Sequence, residues 1–283
     1  MKKHSRTLLS LALGATMMMT VGACKKSEET EKPDDTQQPE DTGEGVDAPP
    51  ADAGPPQDPD PEAIAEARAH YLLGQHEEAV GKLEPILPDL KEREQYRASG
   101  LTAGWLALAL ARDVAENAKE PAEYAVSMGD KTGDKEVIQV AKAAHGAYLL
   151  GVMEFATALD DLEAAINADP TGPNAPLAMV LAGEAKMNMA FGPEDKITNP
   201  GEFDAAAQYF EKAAGQLTGG EPADKALLAK VNESQAAVLR YKNDIKGACA
   251  KADEALKLYG EAGVSDFVKE GVNQLKTAAG CKK

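Results

Sequence analysis

One spacing of apolar residues recurs along this sequence, and it limits the fold more than any other feature. In Phe155–Pro170, Phe155, Ala158, Leu162 and Ala165 lie at offsets 0, 3, 7 and 10. These offsets place side chains on one face of an α-helix, because residues three and four apart are neighbours on the helix surface. Pro170 comes after the last of them, where a proline ends a helix without breaking its interior. The stretch therefore predicts an amphipathic helix whose alanines let a second helix approach closely.

The same spacing begins at three other places, so the sequence predicts an array of similar helices. The corresponding alanines, here called the anchor alanines, are Ala79, Ala158, Ala206 and Ala248. No stretch shows the sustained alternation of apolar and polar residues that is typical of β-strands. A helical unit of this kind buries its apolar face by stacking on its neighbours. We therefore expect an all-α repeat fold over residues 62–283.

The pattern resembles the tetratricopeptide repeat (TPR), a helix–turn–helix unit of about 34 residues. The resemblance implies a right-handed TPR-like α-solenoid of about five helical hairpins plus a C-terminal capping helix. That capping helix would carry an apolar stripe of Phe267, Val268, Val272 and Leu275. Repeats of this family bind many kinds of partner, so the resemblance specifies the architecture far better than the function.

Departures from the repeat length predict irregular segments. The anchor alanines are 79, 48 and 42 residues apart rather than multiples of 34. The first gap predicts a degenerate hairpin within Leu90–Met128, with one helix running through residues 90–112 and the next through 114–128. The second gap predicts a long loop at Phe191–Gly201. Pro85 predicts a kink, and the Gly- and Asp-rich residues 129–134 predict a helix break.

Residues 1–23 resemble a bacterial lipoprotein signal peptide. Lys2, Lys3 and Arg6 precede an apolar stretch over residues 8–21 that is short for a membrane span. The four residues up to Cys24, Val-Gly-Ala-Cys, resemble a lipobox. This resemblance implies cleavage before Cys24 and a diacylglyceryl group on its sulfur. The alternative is an ordinary secretory signal cleaved near Ala23.

Residues 24–61 predict an acidic, proline-rich disordered tether. Lys25–Glu62 contains 8 of the 17 prolines, and 13 acidic residues against three lysines. Such a segment has too little apolar surface to offset the entropy of ordering. The residues after Cys24 lack the aspartate that retains many lipoproteins in the inner membrane. By that resemblance we expect a lipid-anchored protein of the bacterial envelope, on the outer membrane and facing the periplasm.

The charge and the cysteines add two further expectations. The net charge of −17 disfavours nucleic acid as a partner. If Cys24 is acylated, Cys249 and Cys281 remain as a pair in an oxidising compartment. They could form a disulfide only if the chain folds back after Gly280. Otherwise they would be two separate thiols.

The sequence gives little sign of catalytic chemistry. It contains no Cys/His spacing typical of a metal site, no phosphate-binding glycine loop and no serine in a nucleophile motif. His70, His76 and His145 are best interpreted as packed side chains, and Asp160 and Asp161 as a solvated helix face. We therefore expect a protein that is not an enzyme and holds no cofactor or metal.

The TPR resemblance implies a concave groove that binds a peptide or helix of a partner protein. The protein would then act as a scaffold or adaptor. Two alternatives are a solute-binding accessory lipoprotein of a transporter and an assembly factor for outer-membrane proteins. The family's groove positions correspond here to Arg68, Tyr71, Leu150, Glu184, Met187, Asn188, Arg240 and Tyr241.

Overall fold

The computed structural model describes residues 60–281, which form α-helices joined by short connections. The helices are α1 (Glu62–Leu72), α2 (His76–Leu83), α3 (Leu87–Glu92), α4 (Tyr96–Leu110), α5 (Lys119–Thr132), α6 (Lys135–Gly151), α7 (Phe155–Ala168), α8 (Ala175–Met189), α9 (Glu202–Gln216), α10 (Pro222–Tyr241), α11 (Ile245–Ala262) and α12 (Asp266–Ala279). None of these helices is long and apolar enough to cross a bilayer. The signal peptide and almost all of the tether predicted from the sequence lie outside the described residues.

The helices pair into five antiparallel hairpins. These are α1 with α2, α4 with α5, α6 with α7, α8 with α9, and α10 with α11, and α12 packs on α11 as a cap. Within residues 60–281 there is no β-strand, only one isolated bridge between Phe191 and Ile197. The predicted fold class, an all-α TPR-like solenoid with a capping helix, is therefore confirmed.

The anchor alanines lie where the hairpins pack most closely. Ala79, Ala158 and Ala206 have no exposed surface, and Ala248 is 1% exposed. In two hairpins a glycine on the first helix faces a large side chain on the second. A Cβ atom on Gly146 would lie 2.6 Å from Cγ of Leu162, and one on Gly183 would lie 2.4 Å from Cε1 of Phe210. The close approach of the paired helices thus depends on small residues on both partners.

The degenerate hairpin predicted within Leu90–Met128 is present as α4 and α5, but its boundaries differ from the prediction. The helix expected through residues 90–112 is interrupted between α3 and α4, where Glu94 has a φ of 54°. A short 3₁₀ turn occupies Ala115–Ala118, so α5 begins only at Lys119.

The helix break predicted at residues 129–134 is wrong for its first four residues. The helix α5 continues through Gly129 and ends before Gly133, which has a φ of 62°. Gly129 instead allows α5 and α6 to pack closely, because a Cβ atom there would lie 3.3 Å from Cα of Ile138. Asp134 then caps α6 by accepting hydrogen bonds from the N–H groups of Glu136 and Val137.

Two irregular segments agree with the prediction. The helix α8 ends at Met189 and α9 begins at Glu202, so the long loop at Phe191–Gly201 is confirmed. Pro85 lies between the end of α2 and the start of α3. A proline cannot continue the helical hydrogen-bond ladder there, so one helix ends before Pro85 and the next begins after it.

The C-terminal end is closed by α12 and a disulfide. Val272 is fully buried and Val268 and Leu275 are half-buried, as expected of a cap, but Phe267 is 88% exposed. Gly280 has a φ of 74° and turns the chain back toward α11. Cys281 thereby forms a disulfide with Cys249, with 5.6 Å between the two Cα atoms.

The first hairpin contacts the last. The inner helices α1, α4, α6, α8 and α10 touch one another in sequence, and α10 also touches α1. After α1, a Cβ atom on Gly74 would lie 2.8 Å from Cγ2 of Val268 on α12. The neighbouring Leu73 packs against the apolar cluster that α10, α11 and α12 share. The inner helices therefore form a closed circuit around the concave face.

Candidate functional site

Charged side chains from three inner segments meet on the enclosed concave face. Arg112 follows α4, and its Nε donates a hydrogen bond to the hydroxyl of Tyr71 on α1 at 3.4 Å. A guanidinium nitrogen of Arg112 lies 3.8 Å from the carboxylate of Glu184 on α8. The ammonium of Lys230 on α10 lies 3.3 Å from the other oxygen of Glu184.

The contacts continue from Lys230 to the outer helix of the same hairpin, α11. Its ammonium lies 3.7 Å from Glu233, whose carboxylate accepts a hydrogen bond from Tyr259 of α11 at 3.0 Å. We call these residues the central charge network; its members are Tyr71, Arg112, Glu184, Lys230, Glu233 and Tyr259. The network connects α1, α8, α10 and α11 across the interior of the ring.

Opposite charges hold the network in its ionised form. Burial alone would raise the pKa of Glu184, but Lys230 and Arg112 outweigh it, so that pKa lies below its ordinary value. Glu233 raises the pKa of Lys230 above its ordinary value despite burial. Burial and the Glu233 carboxylate together raise the pKa of the Tyr259 hydroxyl. Two cations thus balance two anions, and the network braces the helices rather than supplying an acid or a base near neutral pH.

Three of the predicted groove residues make contacts within the protein. Tyr71 is only 4% exposed, and its ring lies 5.7 Å from the ring of Trp105. Glu184 belongs to the central charge network. The side-chain amide of Asn188 donates to the backbone carbonyl of Glu184 in its own helix at 2.8 Å. Of these three residues, Glu184 alone is held by ion pairs from two other hairpins, through Arg112 and Lys230.

Another predicted groove residue, Arg68, lies at a different edge of the concave face. Its Nε donates to Oδ1 of Asn174, and its Nη2 donates to the backbone carbonyl of Pro173, both at 3.1 Å. Arg68 therefore fastens α1 to the loop between α7 and α8.

The remaining predicted residues lie near the C-terminal ends of three inner helices. Leu150, Met187 and Tyr241 are half-buried and occupy the last turns of α6, α8 and α10. Alternate helices of antiparallel hairpins run in the same direction, so these last turns lie at one edge of the concave face. We call Leu150, Met187 and Tyr241 the apolar rim.

Aromatic packing fixes the position of Tyr241 in this rim. Its ring stacks on Phe203 with 5.2 Å between centroids and meets Phe191 edge-on at 5.1 Å. The guanidinium of Arg240 lies 5.2 Å from the centroid of the Tyr241 ring. The rim thus combines a rigid aromatic anchor with two flexible aliphatic side chains and an adjacent cation.

Two histidines have defined environments. Burial, with a contribution from Arg112, lowers the pKa of His76 to about 4, and its ring lies 5.5 Å from that of Tyr71. Nδ1 of His145 lies 2.5 Å from the carboxylate of Asp161, which also accepts from Lys142 at 2.8 Å. The carboxylate of Asp161 therefore contacts His145 and Lys142, whereas the sequence predicted a freely solvated group. Residues 60–281 contain no cluster of three or more side chains that could hold a metal ion.

The sequence interpretation missed Arg112 and Tyr259 as members of the central charge network. Arg112 follows the end of its helix, outside the groove positions that the repeat pattern supplies. Tyr259 belongs to an outer helix, and its hydroxyl reaches inward to Glu233. No local pattern could have paired Arg112 with Glu184, because this contact joins two hairpins far apart in the chain. Tyr259 contacts Glu233 across its own hairpin, but from a helix that supplies no groove position.

Comparison with known proteins gives only distant similarity. No protein-family model matches the chain, and no curated protein matches it. Among solved structures, MamA MSR-1 C2 is similar over 71% of this chain and 96% of its own, with 18% sequence identity and a TM-score of 0.37. A MamA point mutant is similar over 70% of this chain and 95% of its own, with 19% identity and a TM-score of 0.36. At this level of similarity, the assignment of the fold rests on the chain's own helix pairing.

Proposed function

We propose that this protein is a lipid-anchored scaffold of the bacterial envelope that binds a peptide or helix of a partner protein at its apolar rim. The observation that carries this proposal is the contrast between the two parts of the concave face. The charged groups there satisfy one another in the central charge network. Leu150, Met187 and Tyr241 keep part of their surface exposed at one edge. A partner that covers this rim gains apolar burial without having to separate these ion pairs.

The sequence supports the anchoring part of this proposal. Cys24 follows a lipobox-like stretch and precedes an acidic tether rich in proline. The disulfide between Cys249 and Cys281 favours an oxidising compartment, since disulfides persist outside the cytosol and are rare within it. Both features agree with attachment to the outer membrane and a helical body in the periplasm.

A binding role fits the polar side chains better than catalysis does. Arg112, Glu184, Lys230 and Glu233 form ion pairs or hydrogen bonds with one another. The ring of His145 contacts Asp161, and in the described part of the chain no serine, threonine or cysteine side chain hydrogen-bonds to it. The pair therefore lacks the nucleophile that would complete a hydrolytic triad.

Capture from native membranes tests the proposal. We expect the double change Leu150→Glu with Met187→Glu to abolish recovery of the partner that the wild-type chain captures. Each of these side chains contributes roughly 1.5–3 kcal/mol when fully buried. Losing both weakens binding by about a hundredfold or more.

A matched double change controls for added charge. Thr157→Glu with Gln208→Glu introduces the same two carboxylates at exposed positions of the outer helices α7 and α9. This variant should capture the partner as the wild type does, and both variants should melt near the wild-type temperature. Equal capture by the rim variant and the wild type would remove the rim from the proposal.

One observation favours a second candidate function, that of a solute-binding accessory lipoprotein. A cavity of about 300 Å³ lies beside Arg68, where α1 meets the loop before α8. Its size is at the lower end of the range for small-molecule sites.

A further inference from the structure

The cavity beside Arg68 lies at an edge of the ring away from the apolar rim. Its walls come from α1, the loop between α7 and α8 with the first turn of α8, the end of α9 and the first turn of α10. The uncharged lining of the cleft includes Thr171, Pro176 and Leu217. Its two charged lining residues are Arg68 and Asp224. A cleft formed by four separate segments exists only because the ring is closed.

The guanidinium of Arg68 lines this cleft, and no carboxylate of the described residues forms an ion pair with it. It is half-buried, and its hydrogen-bond acceptors, Asn174 and the carbonyl of Pro173, are neutral. Among residues 60–281 it forms no ion pair. Burial lowers the pKa of Arg68, and the more distant Asp224 and Glu136 do not fully offset this effect. A guanidinium has five N–H donors, so several remain for a ligand.

A second unused donor lies behind Arg68, on a buried residue that does not itself line the cleft. Asn174 is 2% exposed, and its Oδ1 accepts the hydrogen bond from Arg68. Its Nδ2 has no acceptor in the described part of the chain. Buried polar groups are rarely left without partners, so the surroundings of Arg68 have an excess of donors.

Asp224 supplies the opposite charge on the wall formed by α10. Its carboxylate has no hydrogen bond or ion pair to any other residue that the structure describes, and it acts on Arg68 without forming a direct ion pair. The cleft therefore presents an unpaired cation and an unpaired anion on separate walls. A single ligand that carries both charges would neutralise both groups at once.

We propose that this cleft binds a free α-amino acid, with the ligand carboxylate on Arg68 and the ligand ammonium group on Asp224. Arginine recognises a carboxylate with two parallel hydrogen bonds, which fixes the orientation of the ligand. The side chain of the amino acid then lies against the neutral wall formed by Pro176 and Leu217. This inference is independent of the partner-binding role of the apolar rim, and neither depends on the other.

The first experiment is a saturation-transfer NMR screen of the purified full chain against an equimolar mixture of the twenty common L-amino acids. Each amino acid that gives a signal is then titrated by calorimetry, beside its N-acetyl derivative and its amide. We expect saturable binding of at least one amino acid. Both derivatives should bind at least about tenfold more weakly, because each lacks one of the two charges.

Variants assign the binding to this cleft. Arg68→Gln and Asp224→Asn should each weaken binding by about tenfold or more. Arg93→Gln, at an exposed position outside the cleft, should bind as the wild type does. Asp224→Asn removes no hydrogen bond or ion pair among the described residues, so it tests the proposal even if Arg68→Gln destabilises the fold. Thermal melts of all three variants provide this check.

Fluorescence provides an independent signal. Trp105 is the only tryptophan, and the guanidinium carbon of Arg68 lies 6.0 Å from the centroid of its ring. A ligand on Arg68 should therefore change the emission of Trp105. The proposal is overturned if no amino acid binds with a Kd below about 1 mM. It is equally overturned if Asp224→Asn binds the amino acid as tightly as the wild type.

Discussion

The packing of Gly183 against Phe210 leads to a quantitative prediction for Gly183→Ala. A Cβ atom at position 183 would lie 2.4, 2.6 and 2.9 Å from three carbons of the Phe210 ring. Phe210 has no exposed surface, so its ring has no open space into which it could turn. The added methyl group must instead push α9 away from α8.

Two opposing effects determine the size of the change. Overpacking a close-packed core costs about 1–3 kcal/mol. Replacing glycine by alanine inside a helix stabilises it by up to about 1 kcal/mol. Because three ring carbons would lie under 3 Å from the new Cβ, we expect an overpacking cost in the upper part of this range, about 2–3 kcal/mol. After the helix gain, Gly183→Ala should lower the free energy of unfolding by about 1–2 kcal/mol, which corresponds to a fall in Tm of roughly 2–8 °C for a domain of this size. A circular-dichroism melt measures this difference.

Gly81→Ala is the matched control. Gly81 also lies inside a helix, α2, but apart from its chain neighbours and the adjacent helix backbone no described atom lies within 4 Å of where its Cβ would be. This variant should gain about 0.5–1 kcal/mol from helix propensity alone. Adding Phe210→Leu to Gly183→Ala should recover part of the loss, since it removes ring atoms from the clash. The reasoning is refuted if Gly183→Ala melts at or above the wild-type temperature, as Gly81→Ala is expected to do.

Three further predictions test separate parts of the account. Cys24→Ser should release the protein from the membrane fraction, and a variant that still sediments with membranes would contradict the lipid anchor. Because the pKa of His76 is lowered to about 4 from 6.5, the unfolded chain is protonated first as the pH falls. The stability that neutral His76 contributes is therefore fully present above pH 6.5 and is lost as the pH falls toward 4. His76→Phe should make the fall in Tm over this pH range shallower. Changing Cys249 and Cys281 together to serine should cost up to about 3–4 kcal/mol by the chain-entropy argument, and an unchanged Tm would mean that α12 is held by packing alone.

The sequence predicted the features that depend on local periodicity. Ala158 and Leu162 are fully buried because the spacing that revealed them is also the spacing of one helix face. The error at Gly129 has a local cause as well. The sequence pattern treats Gly129 as part of a helix break. In the structure it lies inside α5, and its lack of a side chain lets the backbone of Ile138 pack close to it.

The closure of the ring could not be predicted in the same way. The contacts of α1 with α10 and of Gly74 with Val268 depend on small rotations accumulated over five hairpins. The sequence of a single repeat does not determine this accumulated rotation. The groove position of Glu184 is predicted for an open array, and its ion pairs with Arg112 and Lys230 appear only once separate hairpins are assembled.

Site-specific photo-crosslinking tests the central claim, partner binding at the apolar rim, most directly. A photoreactive amino acid in place of Met187 lies within the rim, and one in place of Glu211 lies at an exposed position of the outer helix α9. In native membranes the account predicts that the probe at position 187 forms a crosslink to one defined protein and that the probe at position 211 does not. A crosslink to that protein from position 211 alone would place the binding surface on the outer helices and contradict the account.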